Sequence, residues 1–396
     1  MKLAIFSPGF IPVPAIKGGA VEQLTTYLIN ENERQHKFDI DLYTLDDERL
    51  ATFNYKYTHL IKISKPAISK IYGLKRNIDI KIFKNDKSSG YVEHKMAALF
   101  KSDYYDKVLI ENNMDLYLLL LKKKKQEEFY FHLHNDFGPN SGDVTKNLRK
   151  TKIIIKTARK ILVVSQYLKK KLEKIGAKNV SVVYNGIIGK KFIPVSKSEQ
   201  ISLRKKYEIS PNDIVFTFIG RICDDKGIDK LLEAMSLLKN INNIKCLIVG
   251  NNFFGSSQDD KYIQKLKQIS QPIMEKIKFT GYIPNSQLSK IYSISDCIVI
   301  PSQWEEVFGV VALEAMKMEK PVIASNSGAL PEVLSHKCSV FVNRGPRYIE
   351  ELSKAILNLK NDNILRSKMG AAGLLRSKLF PNSEKEYFNE VYKVIK

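Results

Sequence analysis

Short apolar runs rich in β-branched residues alternate along the chain with longer stretches whose apolar positions recur every three to four residues. In the first half the short runs are Leu3–Phe6, Ile40–Tyr43, Val108–Glu111, Tyr130–Leu133, Ile161–Val164 and Val180–Val183. In the second half they are Ile214–Ile219, Cys246–Val249, Ile277–Thr280, Cys297–Ile300, Val322–Ala324 and Val340–Val342. Continuous apolar runs predict strands buried on both faces, and the helical stretches between them predict crossovers of parallel sheets. The chain therefore reads as α/β, with two Rossmann-like layers in series. No close repeat relates the two series, and low complexity is confined to the four lysines Lys122–Lys125. A polar segment around Pro194 precedes a new strand. It sets a first domain at 1–190, a linker at 191–211 and a second domain at 212–376. The tail, 377–396, places Tyr387, Phe388, Val391, Tyr392 and Ile395 at helical spacing. That helix either packs on the second domain or crosses back to the first.

Composition narrows the class. A chain of 396 residues is too long for one ordinary core. With 44% hydrophobic and 27% charged residues it has the balance of a folded globular protein. No apolar run approaches the ~18 residues of a membrane helix; Leu118–Leu121 stops at Lys122. The first apolar run ends before Pro8 and is too short for a signal-peptide core. The four cysteines lie far apart, with no Cys-x-x-Cys, and read as reduced core residues of a cytoplasmic protein. The net charge of +22 demands an account. Nucleic acid, an anionic membrane and anionic substrates all fit it, as does a merely lysine-rich chain. The excess is uneven: residues 1–195 hold 35 basic and 20 acidic side chains, the remainder 29 and 22. No helix-turn-helix, zinc finger or aromatic-and-basic platform accompanies it, so no nucleic-acid partner is expected.

Three segments carry candidate chemistry. Gly18 and Gly19 stand before a helical pattern, where backbone amides can approach a phosphate closely; a plain βα turn explains them as well. A strand ends at Gly220, Arg221 follows, and Lys226-Gly227 precede the next helix. Cations at the carboxyl end of a parallel strand sit where open α/β sheets bind ligands, though solvated loop cations would look the same. The third segment is PSQWEEVFGVVALEAM. Seven residues separate Glu306 from Glu314. On one helix they would stand roughly 12 Å apart, too far for a joint acid/base pair. They can instead touch the two ends of an extended ligand, Glu306 at sugar hydroxyls and Glu314 at a ribose diol. The amides of Gly309, Val310 and Val311 then form a helix N-terminus between them, suited to a diphosphate.

With these pieces in place, the sequence resembles the retaining glycosyltransferases of family 4 (glycosyl transferases group 1) with the GT-B fold, two Rossmann-like domains facing each other across a cleft. The matching residues are Gly18-Gly19, His134, Ser165, Asn185-Gly186, Gly220-Arg221, Lys226-Gly227, Gly250, the run FTGYIPN at 279–285, Glu306, Glu314 and Lys320-Pro321-Val322. They cover nearly the whole chain in the expected order. The resemblance implies that Arg221 and Lys226 neutralise the diphosphate, that Glu314 binds the ribose, and that Glu306 binds donor-sugar hydroxyls with amides near Phe308 and Gly309. It implies further that His134 contacts the donor sugar, that Tyr282 and Ile283 flank the base, and that Gly19 approaches the phosphates. Gly220 and Gly250 belong to the nucleotide-binding set. Val307 stands where many relatives carry a small residue or proline.

The expected reaction is transfer from a nucleoside-diphosphate sugar, a UDP-sugar, to a glycan or lipid-linked glycan acceptor of cell-surface polysaccharide, with retention and no required cofactor or metal. Cations and helix amides at the leaving diphosphate suit its growing charge. A glycosidase would need two carboxyl groups about 5–9 Å apart, and none is recognisable. A phosphorylase or sugar-nucleotide epimerase is the alternative enzyme, and a basic nucleic-acid-binding protein the non-enzymatic one. Asp39 and Asp41 form a DxD triplet that reads as two solvated aspartates on one face of a strand edge, not a metal site. Of His132 and His134, one is expected to pack in the core and the other, His134, to touch ligand. Trp304 is read as a loop anchor. The basic first domain implies docking on an anionic membrane surface through Lys122–Lys125 or Lys169–Lys171, hence a peripheral protein on the inner face of the cell membrane.

Overall fold

The computed structural model describes residues 1–64, 90–137, 144–187, 192–250 and 257–396. The chain divides into two compact units, Met1–Gly186 with Ser383–Lys396, and Ile187–Asn382. The start of the expected linker, to residue 191, lies outside the described residues.

The first unit holds a seven-stranded parallel sheet in the order β3-β2-β1-β4-β5-β6-β7. Its strands are β1 (Lys2–Phe6), β2 (Asp39–Leu45), β3 (Thr58–Ile63), β4 (Lys107–Glu111), β5 (Glu128–Leu133), β6 (Lys160–Val163) and β7 (Val180–Val182). Successive strand residues point to opposite faces, so the complete burial of Leu3, Ala4, Ile5 and Phe6 means that both faces of β1 are covered. Strand β3 goes beyond the sequence expectation. Among the described residues it lies at one edge of its sheet, and exposed His59 and Lys62 break the apolar run. Strand β2 lies between β1 and β3 and is not an edge. Asp41 accepts a 2.6 Å bond from the Tyr105 hydroxyl, so of the DxD pair only Asp39 is exposed. This corrects the expectation of two solvated aspartates at a sheet edge.

The last helix, Glu384–Ile395, belongs to the first unit. It packs on the helix Ala20–Gln35 and buries Tyr387, Phe388, Val391 and Ile395. Arg34 and Asn30 hold Glu384 at 2.6 and 3.0 Å. Of the two placements that the spacing allowed, this is the return to the first domain.

The second unit holds a six-stranded parallel sheet, order β10-β9-β8-β11-β12-β13. The strands are β8 (Ile214–Ile219), β9 (Ile244–Val249), β10 (Ile277–Gly281), β11 (Cys297–Ile300), β12 (Val322–Ser325) and β13 (Ser339–Val342). A core including Phe216, Leu231, Ile248, Val299, Ile323 and Ile356 fills it. The helix Lys197–Lys206 also lies in this unit, within the segment read as a linker. Ser196 caps it by accepting from the Glu199 amide at 3.2 Å, and Lys290 pairs with Glu199 at 2.9 Å. In each sheet the strand order reverses once, between β1 and β4 and between β8 and β11. Loops leaving the carboxyl ends diverge at such a point and open a crevice for ligand.

Candidate active site

The second unit assembles its polar cluster at the β8/β11 reversal. Strand β8 runs out at Ile219 into Gly220, exposed Arg221 and a tight turn, Asp224–Lys226, closed by Gly227 at φ 67°. Strand β11 runs out into the loop 301–309, from which the helix Val310–Lys317 departs. The two strands pair directly, so their loops touch: the Gln303 amide donates to Asp225 O at 2.8 Å. That contact brings Lys226 and Glu306 together across 80 residues, with Nζ 2.6 Å from Oε1. Ser302 Oγ donates to the same oxygen at 2.6 Å, and Nζ lies 4.8 Å from the centre of the Trp304 ring.

Glu306 is buried. Burial opposes its ionisation, but the Lys226 ammonium and the Lys226 and Ser302 hydrogen bonds outweigh it and hold the carboxyl below its usual value. A turn across the loop supports this geometry: the Ala329 amide donates to Glu306 O at 2.7 Å and the Gly328 amide to Glu305 Oε2 at 2.5 Å. Arg344 pairs with the other Glu305 oxygen.

Gly309 sets the helix start. Its φ of 87° is left-handed, and a Cβ there would stand 2.6 Å from Leu330 Cδ2. The next amides, those of Val310 and Val311, begin the helix and have no intrahelical acceptor. One turn on, Glu314 is buried, and its Oε2 accepts from the Tyr292 hydroxyl at 2.7 Å. Burial pushes its carboxyl up to about 7, against the lowering effect of Tyr292.

Glu306 thus lies on the loop and only Glu314 on the helix, with the Gly309–Val311 amides between them in sequence. Phe308 is a core side chain, packed edge-on against Phe380. Gly250 and Gly220, at the ends of β9 and β8, pack so closely that a Cβ on Gly250 would run into the Gly220 carbonyl. Tyr282 and Ile283 follow β10 next to them, Tyr282 exposed and Ile283 half-buried. Sequence reasoning missed three groups: Ser302, Tyr292 and the Glu305–Arg344 pair. Ser302 carried a faint signal, four residues before Glu306 in a loop that follows a strand. Tyr292 and Arg344 carried none, since only the fold brings them near.

The first unit has its own cluster at the β1/β4 reversal. Gly18 and Gly19 have φ of 79° and 92° and precede the helix Ala20–Gln35. The carboxylate of Glu22 lies against Gly19, where a Cβ would collide with it. Burial and the nearby Glu111 charge raise the Glu22 carboxyl to about 7. Glu111 ends β4 and faces two histidines, His132 on β5 and His134 just after it, whose rings are tilted by 44° with centres 3.9 Å apart. His134 Nε2 is 2.9 Å and His132 Nδ1 3.2 Å from Glu111 Oε2. Both histidines are buried. Among the described residues, Glu111, His132 and His134 form a group whose ligand atoms, all within 4.8 Å of one another, could hold a metal ion.

Comparison with known proteins bears on both units. Residues 199–376 match the family described as Glycosyl transferases group 1. A lipopolysaccharide 1,2-N-acetylglucosaminetransferase of Salmonella typhimurium is 31% identical over 228 residues, covering 57% of this chain and 56% of that protein. A GDP-mannose-dependent monoacylated alpha-(1-6)-phosphatidylinositol monomannoside mannosyltransferase of Corynebacterium glutamicum is 26% identical over 196 residues, 48% of this chain and 49% of that protein. The chain spans about half the length of these two curated relatives. The crystal structure of Anabaena HepE in complex with UDP superposes with a TM-score of 0.75 at 18% identity, over 99% of both chains. At that identity the likeness speaks for the fold, two parallel-sheet Rossmann-like domains of GT-B type. The chain therefore has the GT-B fold, and its residues 199–376 match the group 1 glycosyl transferases.

Proposed function

We propose that the chain is a retaining, metal-independent glycosyltransferase of family 4. It moves a sugar from a UDP-sugar to a glycan or lipid-linked glycan of the cell surface. The observation that carries this reading is the pair of half-buried Lys226 and buried Glu306 beside the start of the Val310–Lys317 helix, with Glu314 one turn further on. Glycosyl transfer builds negative charge on the leaving diphosphate. Arg221, Lys226 and the Val310 and Val311 amides supply fixed positive groups, and one such donor is typically worth about 3–4 kcal/mol in the transition state. Lys226 has three donors, so Glu306 can hold one while others remain for phosphate oxygens. Glu306 accepts from donor-sugar hydroxyls and Glu314 from the ribose diol. Tyr282 and Ile283 flank the base, and His134 offers a hydrogen-bonding contact to the transferred sugar. Retention assigns the acceptor proton to the leaving phosphate on the same face.

The UDP held by HepE supports the choice of base, and the Salmonella relative's lipopolysaccharide supports a cell-surface acceptor. The mannosyltransferase relative makes GDP-mannose the donor to test against it. The test is thermal shift against UDP-, GDP- and dTDP-sugars, since a ligand that binds the folded state raises the transition by mass action. Turnover of the selected donor by Arg221→Ala, Lys226→Ala and Glu306→Ala then checks the site. Full turnover in all three sinks the assignment. Undiminished turnover after exhaustive chelation is expected of a metal-independent enzyme.

The membrane reading rests on the basic first half of the chain. Among the described residues no helix is long and apolar enough to cross a membrane. Of the lysines proposed for docking, Lys125 pairs with Asp103 and Lys171 with Asp136, while Lys122 and Lys170 are exposed. These last two are the anionic-surface contacts we assign.

A further inference from the structure

We propose that Glu111 is a positioning residue: it fixes the His134 imidazole as the Nε2–H tautomer and leaves Nδ1 as a lone-pair acceptor for a sugar hydroxyl. The inference rests on the reading above that His134 meets the substrate. The chain pins His134 at two points. Asn112, at φ 52°, turns the backbone immediately after Glu111. Its own amide donates to His132 O at 2.8 Å, and its Oδ1 accepts from the His134 amide at 3.0 Å. The ring is then held by the 2.9 Å contact between Nε2 and Glu111 Oε2.

The direction of that bond follows from the acid. Burial opposes ionisation of Glu111, yet the two histidines outweigh it and bring the carboxyl to about 2. Glu111 is therefore a carboxylate across the working range, and a carboxylate only accepts. The hydrogen must sit on Nε2. Burial and the neighbouring His132 push the His134 imidazole down to about 4, against the raising effect of Glu111, so the ring is neutral at pH 7. A neutral imidazole with hydrogen on Nε2 has none on Nδ1. That atom bonds to no described residue.

His132 does not compete for the role. Its Nδ1 is 3.2 Å from the same oxygen but outside hydrogen-bonding geometry, and both of its ring nitrogens are buried without a partner. Glu22 and Tyr387 also face the cluster: burial first, and then the Glu111 charge, raises the Glu22 carboxyl and the Tyr387 hydroxyl. Flipping the His134 ring would put carbon against Glu111 and leave a buried carboxylate with no bond, a costly arrangement. The carboxylate thus selects the tautomer and the ring orientation together, as second groups do for catalytic and metal-bound histidines.

The direct test needs no substrate. In protein labelled with ¹⁵N-histidine, long-range proton–nitrogen spectra separate bare from protonated ring nitrogens. The chain has six histidines, and His134→Gln assigns the signal by its loss. The expected result is a bare Nδ1 and a protonated Nε2 on His134 from pH 6 to 8. A protonated Nδ1, an imidazolium at pH 7, or a stoichiometric metal ion in the purified protein overturns the proposal. The kinetic test uses the donor selected by the thermal-shift screen. Glu111→Gln should lower kcat at least tenfold, leave the UDP-induced thermal shift unchanged, and cost less than twofold once His134 is already alanine. Independent, multiplying losses refute action through His134. Unimpaired turnover of His134→Ala would instead refute the substrate contact, with the tautomer still decided by the spectrum. If Glu111→Gln does not fold, the wild-type spectrum alone decides.

Discussion

Replacing Glu314 by glutamine should make the protein more stable above neutral pH and at the same time weaken its hold on nucleotide. Glu314 is fully enclosed, with one hydrogen bond from Tyr292. Burial raises its carboxyl from an ordinary 4.5 to about 7. Between those two values the folded protein binds a proton that the unfolded chain has released. Stability must therefore fall as pH rises through this window, because the native state is the one holding more protons. A shift of about 2.5 units at 1.36 kcal/mol each amounts to about 3 kcal/mol of stability lost between pH 4.5 and 7. Glutamine keeps the volume and an oxygen for the Tyr292 hydroxyl but cannot titrate. Relative to wild type, Glu314→Gln should gain about 2.5 kcal/mol between pH 5 and pH 8, or roughly 5–10 °C for a domain of this size. Paired urea or thermal unfolding curves across that range read it directly. The difference between the proteins is the right quantity, because Glu22 titrates in the same window in both. A difference that is flat with pH, or a variant that loses ground as pH rises, would falsify the reasoning. Calorimetric titration with UDP supplies the other half. A charge-assisted bond to the ribose diol is worth about 1.5–3 kcal/mol, so affinity should fall tenfold or more in the stabilised variant.

Lys226→Met should raise the Glu306 carboxyl, cost on the order of 3 kcal/mol in urea unfolding, and cut kcat by about 10²–10³, because it strands a buried charge and removes a leaving-group cation. Unchanged stability would mean that the pair is solvated. Gly309→Ala should cost about 1–3 kcal/mol and weaken UDP binding, since the added methyl group meets Leu330 on a left-handed backbone. Adding Leu330→Ala should recover part of the UDP affinity, and no recovery would argue against the steric cause. Flotation with anionic vesicles should carry the protein and neutral vesicles should not, with Lys122→Glu and Lys170→Glu together reducing it. Equal recovery on both vesicle types, or none on either, counts against the membrane reading.

The strands were legible because each parallel strand is enclosed on both faces and reads as an unbroken apolar run. Every run named from the sequence coincides with an observed strand to within two residues at either end. Strand β3 escaped because, among the described residues, it lies at one edge of its sheet, and exposed His59 and Lys62 hide its period. The helix Lys197–Lys206 escaped because its segment, KSEQISLRKK, has no buried residue; its Ser196 cap is the only local sign. For the site, local signals found the residue types but not their partners. Arg221, Lys226, Glu306 and Glu314 each stood at a strand end or helix start, where pattern reasoning can reach. That Lys226 and Glu306 meet is a consequence of β8 pairing with β11, which no local window contains.

The two units meet the same difficulty in different ways, and the difference bears on what each can do. Each places a buried carboxylate at the carboxyl end of a strand or in the loop just beyond it, Glu111 after β4 and Glu306 after β11. Such a charge is costly unless it is bonded or paired. Around Glu306 the solution is a cation, Lys226, so the local pair is neutral and its ammonium can turn toward an incoming phosphate without leaving the carboxylate. Around Glu111 the bonded partner is His134, held neutral by its surroundings. Burial, and after it the Glu111 charge, raises the carboxyl of neighbouring Glu22. Of the glycine pair that looked from sequence like a phosphate cradle, Gly19 lies against the Glu22 carboxyl group. An approaching phosphate at Gly19 must displace or protonate Glu22, whereas a sugar hydroxyl can donate to it. The two expected phosphate contacts thus make different demands: one at Gly19 requires Glu22 to be displaced or protonated, whereas one at Lys226 meets a cation.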